Sequence, residues 1–134
     1  MSIFVKEDDT IVIDLHYMED NDKITLFDAP TDKTTTLQVV FRRPNFAMSQ
    51  RLISTSTVND ENGNPTLNLM MLQNNLPYFL AKSWNAKEPD IQDAEGNLIK
   101  GKSIPLNAES LGNLRVEIAR GLVSKLIPLA GQII

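Results

Sequence analysis

The feature that most constrains this chain is the two-residue alternation in its first third. In Thr34-Thr35-Thr36-Leu37-Gln38-Val39-Val40-Phe41, an extended backbone places Thr34, Thr36, Gln38 and Val40 on one side. Thr35, Leu37, Val39 and Phe41 fall on the other, so the strand has one apolar face that another layer must cover. Ile3-Phe4-Val5, Ile11-Val12-Ile13-Asp14-Leu15 and Ile24-Thr25-Leu26-Phe27 are further short runs rich in β-branched residues. Polar turn clusters at residues 6–9, 19–22 and 28–33 separate them, which predicts three to four antiparallel strands over residues 1–43.

After Arg42-Arg43-Pro44 the pattern turns helical. Pro44 holds its predecessor extended and Asn45 is a cap for a short helix over about 46–57, with Phe46, Met48, Leu52 and Ile53 inward. A loop at 59–65 precedes a second helix over about 67–84, in which Leu69, Leu72, Leu76, Phe79, Leu80 and Trp84 recur every three or four residues. Pro77 lies within it and is expected to kink or split it. Residues 85–107 form a long, polar, turn-rich loop, with Leu98-Ile99 and Ser103-Ile104 as candidates for a small hairpin. A third helix starts at the Asn107 cap and carries an apolar stripe of Leu111, Leu114, Ile118, Leu122, Val123 and Leu126. It is expected to end or kink near 127–130, at Pro128 and Gly131. The expected fold is a single α+β domain over 1–134. A β-rich part at 1–43, with three to four antiparallel strands, is followed by two to three packed helices in 44–134.

Composition removes several chemistries. With no cysteine there is no disulfide, thiolate metal site or cysteine nucleophile, and with one histidine every histidine-dependent centre rests on His16. Asp14 and His16 share a strand face, the geometry in which a carboxylate orients an imidazole, but no second His or Cys completes a ligand set. Neither glycine loop fits a calcium-binding frame. Setting Gly96 as the turn glycine puts Ile91 at the first ligand position and Lys102 where the bidentate glutamate belongs, and Gly63 puts Val58 first. No nucleophile-elbow serine or phosphate-cradling glycine pattern occurs, so the expectation is a non-enzyme without cofactor or metal.

The net charge of −4 is concentrated as acid in residues 1–40, while 41–82 are mildly basic, an arrangement that argues against nucleic acid as a partner. The basic pair Arg42-Arg43 is expected to be solvated or paired with that acidic third. The N-terminus turns acidic too early for a signal peptide, and no window reaches about 18 uninterrupted apolar residues, so neither export nor a membrane is expected. Interaction is hinted at the other end. Residues 122–134 carry Lys125 as their single charge, and an end this apolar is covered either by its own domain or by another chain. The residues expected to meet a partner are Trp84, Leu111, Leu114, Ile118, Leu122, Leu129, Ile133 and Ile134.

Residues 76–127 also carry a resemblance. A helix running into Leu80-Ala81-Lys82-Ser83-Trp84-Asn85 comes first. The acidic turn Asp93-Ala94-Glu95-Gly96-Asn97 follows, and then Ile104-Pro105-Leu106-Asn107-Ala108-Glu109-Ser110-Leu111 opens a closing amphipathic helix. Together these segments resemble small tailed-bacteriophage morphogenesis proteins of the tail assembly chaperone type. The β-rich first 43 residues depart from that pattern. The resemblance implies a non-enzymatic protein that binds tape-measure or tail-tube components in the host cytoplasm during assembly. Its alternative is a permanent tail, neck or baseplate subunit of the virion, assembling with copies of itself and neighbouring proteins.

Overall fold

The computed structural model describes residues 2–134. Its centre is a four-stranded antiparallel sheet built from β1 (Thr10–Asp20), β2 (Lys23–Phe27), β3 (Thr35–Arg42) and a later strand, β6 (Ala81–Trp84), in the order β2-β1-β3-β6. A tight reversal joins β1 to β2 with Asn21 and Asp22 at positive φ, a conformation that Asn and Asp tolerate better than other non-glycine residues. The predicted alternation holds: Leu37, Val39 and Phe41 are buried on one face, in register with Leu15, Ile13 and Ile11 of β1.

Two helices cover that face, α2 (Leu69–Leu80) and α4 (Val116–Ile133), and α1 (Phe46–Thr55) packs against both. Their inward residues include Leu52, Leu72, Leu76, Leu80, Leu122 and Leu126, and they form one hydrophobic cluster with the odd-numbered sheet residues. Gly121 lets α4 approach closely, since a Cβ there would stand 2.8 Å from the side chains of Leu15 and Leu26. The architecture is α+β, one antiparallel sheet with helices on one face, and its opposite face is the alternating polar side of the same strands.

Two β-arms leave this body. β4 (Thr57–Asn59) pairs with β5 (Pro65–Leu67), and β7 (Ile91–Gln92) pairs with β8 (Leu98–Ile99). Both arms turn on the same local device. Asp60 accepts hydrogen bonds from the amides of Asn62 and Asn64, Asp93 does so from Glu95 and Asn97, and Gly63 and Gly96 adopt the positive φ that the turn requires. The second arm is longer than its strand labels. Lys87 bridges Ser103, the Glu88 amide donates to the Lys102 carbonyl and the Ile104 amide to the Ala86 carbonyl, all in one register with the β7–β8 pair.

Several expectations change. Ile3-Phe4-Val5 lies outside every strand, and the fourth strand of the sheet is Ala81–Trp84, which periodicity assigned to the end of the second helix. Pro77 sits inside α2, but the helix stops at Leu80, where an unpaired edge of β3 offers backbone partners to the following residues. Leu98-Ile99 pairs with Ile91-Gln92 rather than with Ser103-Ile104. The third helix is two: α3 (Ala108–Gly112) ends at Asn113, and α4 begins after Arg115 and runs through Pro128 to Ile133. Phe46, expected inward, is 80% exposed, and Ser49 takes the buried position between Met48 and Leu52.

The C-terminal helix is core. Leu122, Leu126, Leu129, Ala130 and Ile133 are all buried within the chain. Leu126→Ala should lower unfolding free energy by about 2–5 kcal/mol, while Ile127→Ala at the neighbouring half-exposed position should stay within about 1 kcal/mol, as read by denaturant titration.

Candidate protein-binding groove

The expected partner residues separate into two groups. Leu111, Ile118, Leu122, Leu129 and Ile133 are buried at 7% exposure or less, so their side chains are committed to the chain's own core and leave no surface for a partner. Ile134 is 60% exposed at the chain end. Trp84 and Leu114 are half-buried, and the fold brings them into a single groove of about 320 Å³.

Trp84 is placed by the sheet. It lies opposite Val39 at the end of β6, just past a register shift between Val40 and Phe41. Asn85 extends the same edge, accepting from the Gln38 amide at 2.8 Å and donating to the Thr36 carbonyl at 3.1 Å. The indole Nε1–H donates to the Ile104 carbonyl at 2.7 Å, which ties the base of the second arm to the sheet and leaves the ring as a wall of the groove. Leu114 comes from the short turn between α3 and α4.

Ala86, Ile104 and Pro105 complete the apolar lining, and Asn107, Glu109, Ser110 and Asn113 form its rim. Glu109 is the one charged lining residue. The rim is held by a capping box at the start of α3, in which Asn107 accepts from the Ser110 amide and Ser110 accepts from the Asn107 amide. An apolar floor with an oriented polar rim can take an apolar side chain from a partner and engage the flanking backbone. Sequence periodicity found Trp84 and Leu114 but assigned them to helical stripes. It passed over Ala86, Ile104 and Pro105, although the last two stand in a segment that carries the resemblance.

Asp90 and Gly101 hold the arm's stem. The Gly101 amide donates to the Asp90 carboxylate at 2.7 Å, and this bond is the main reason its carboxyl titrates below the usual value. Desolvation opposes it, and Lys87 and Lys100 add smaller effects in the lowering direction. Gly101 is required by contact: a Cβ there would lie 1.6 Å from the Glu88 carbonyl oxygen.

Elsewhere, Asp14 and His16 are engaged by different β3 side chains. The Gln38 amide group donates to Asp14 at 3.0 Å, and His16 Nδ1 lies 2.7 Å from the Thr36 hydroxyl. Arg43 pairs with Asp9 at 2.7 Å, the pairing with the acidic first third that the sequence suggested. No helix among the described residues is long and apolar enough to cross a membrane. Comparison of the chain with protein-family models, curated proteins and solved structures finds no match.

Two outcomes follow for the arm. Gly101→Ala should abolish the cross-strand amide contacts between Lys87 and Ser103 seen by NMR, while core resonances keep their positions. Because the folded Asp90 value is depressed, its ionised form stabilises the arm above the ordinary carboxylate range, and that contribution is lost as pH falls through the lowered value. Amide exchange in the stem should therefore accelerate in acid, and Asp90→Asn should remove that acid step.

Proposed function

We propose that this chain is a non-enzymatic protein-binding component of tailed-phage tail morphogenesis, an assembly chaperone that shelters an apolar segment of a tape-measure or tail-tube protein. One observation carries the reading. The segments that resemble tail assembly chaperones, around Ser83-Trp84-Asn85 and Ile104-Pro105-Leu106-Asn107, are distant in sequence yet supply the wall, floor and rim of one groove. The partner surface is therefore narrower than the apolar stripe of the closing helix, and it centres on Trp84 and Leu114. The chaperone acts in the host cytoplasm and leaves before the particle matures.

A second reading, a permanent subunit of the tail, neck or baseplate, is favoured by the two projecting arms, the first with an exposed Val58 and the second with exposed Ile91, Leu98 and Ile99 side chains. Mass spectrometry of purified particles separates the two. A chaperone is absent from mature particles and abundant in infected cells, whereas a fixed copy number per particle would overturn the chaperone reading in favour of the second.

The groove has its own reporter, since Trp84 is the only tryptophan. Titration with peptides spanning the tape-measure and tail-tube proteins of the same phage should shift its emission to the blue. Leu114→Asp should weaken that binding at least tenfold without altering the thermal midpoint by more than a few degrees. No shift with any such peptide would contradict the assignment.

A further inference from the structure

Besides the outer sides of β2 and β6, the sheet leaves part of β1 open, and the chain carries an unpaired segment suited to it. β2 covers β1 only from His16 to Asp20, so the first half of β1 has no neighbour on that side. The orientation of the backbone groups there is fixed by Gln38. Its amide donates to the Asn85 side chain and its carbonyl accepts from the Asn85 amide, so both point away from β1. Asp14, paired with Gln38, therefore turns its own N–H and C=O away from β3. Lys125 of α4 confirms the direction by donating to the Asp14 carbonyl at 3.0 Å. With the two-residue period, Val12 presents both of its backbone groups to the same edge, and its side chain is 54% exposed.

Ile3-Phe4-Val5 has the composition of a strand and belongs to none. Its side chains are 93%, 75% and 40% exposed. Within one chain it lies away from the open β1 edge, with the Glu7 carbonyl accepting from Lys82 of β6 and Val5 lining a cavity with Met48 and Lys82. β6 lies at the opposite side of the sheet from β2.

We propose that residues 2–6 of one copy add as a strand to the open β1 edge of a second copy, joining the chains head to tail. Charge complementarity selects this occupant. The donor segment runs directly into Glu7-Asp8, whose carboxylates have no ion-pair partner among the described residues, and the receiving edge is flanked by the Lys125 ammonium. Strand addition satisfies the backbone groups of Val12, covers its side chain and buries Ile3 and Phe4. The contact is heterologous, with donor and acceptor at different places on the chain, so repetition gives rings or filaments. It does not depend on the Trp84 groove.

Sedimentation velocity of the full chain tests this. Wild type should form a concentration-dependent series of oligomers, and Phe4→Asp and Val12→Pro should each be monomeric. Val12→Pro removes an N–H that no intrachain strand uses. An equimolar mixture of the two variants should form dimers and nothing larger, because only one intact donor and one intact edge are left per pair. If circular dichroism shows Val12→Pro unfolded, Lys125→Glu takes its place as the edge variant, setting a negative charge against Glu7 and Asp8. A monomeric wild type, single variants that keep the oligomer series, or a mixture of folded variants that stays monomeric would each overturn the proposal.

Discussion

Everything in this structure depends on the burial of one sheet face. Ile13 and Leu15 of β1 with Leu37, Val39 and Phe41 of β3 form an apolar surface that water cannot satisfy, and the stripes of α2 and α4 close over it. Each such side chain contributes about 1.5–3 kcal/mol when fully buried, so leaving the face uncovered would cost more than most single interactions in the chain supply. The chain's last turn of helix belongs to this layer, since Leu129, Ala130 and Ile133 are buried there. Cysteine is absent, so packing alone fixes the body from which the arms project.

That face was legible in the sequence because period two is a strong local signal. The caps at Asn45 and Asn107 were legible for the same reason, each side chain reaching a backbone amide three residues on. Ala81–Trp84 was not. Its spacing continues the helical run of α2, and only the free edge of β3, made by residues some forty positions earlier, turns it into a strand. Ile3-Phe4-Val5 is the converse, a segment with strand composition that pairs with no strand of its own chain. The stem of the long arm escaped because its pairing depends on a close approach at Gly101 and on isolated backbone bonds, which leave no periodic pattern.

The candidate site was half legible. Helical phase identified Trp84 and the stripe from Leu111 to Leu122, but periodicity marks whichever face is buried and cannot say by what. The chain's own sheet claims most of that stripe. What is left for a partner lies where elements end: the end of β6, the base of the second arm and the turn before α4, all meeting at Trp84. Function at such junctions is consistent with a rigid core carrying adaptable surfaces. The paired aspartate turns of the two arms explain the acidic loops without a ligand, since each Asp60 and Asp93 side chain is occupied by two amides of its own turn.

The C-terminal helix is core, and the proposed partner contact is at the Trp84 groove. Under the tail-assembly reading proposed above, hydrogen–deuterium exchange of the chain, alone and mixed with a tape-measure or tail-tube protein, measures this directly. Added protection at residues 84–86 and 104–114, with exchange across 122–134 already slow in the free chain and unchanged by the partner, is the expected result. Rapid exchange of 122–134 in the free chain, lost only on binding, would contradict it.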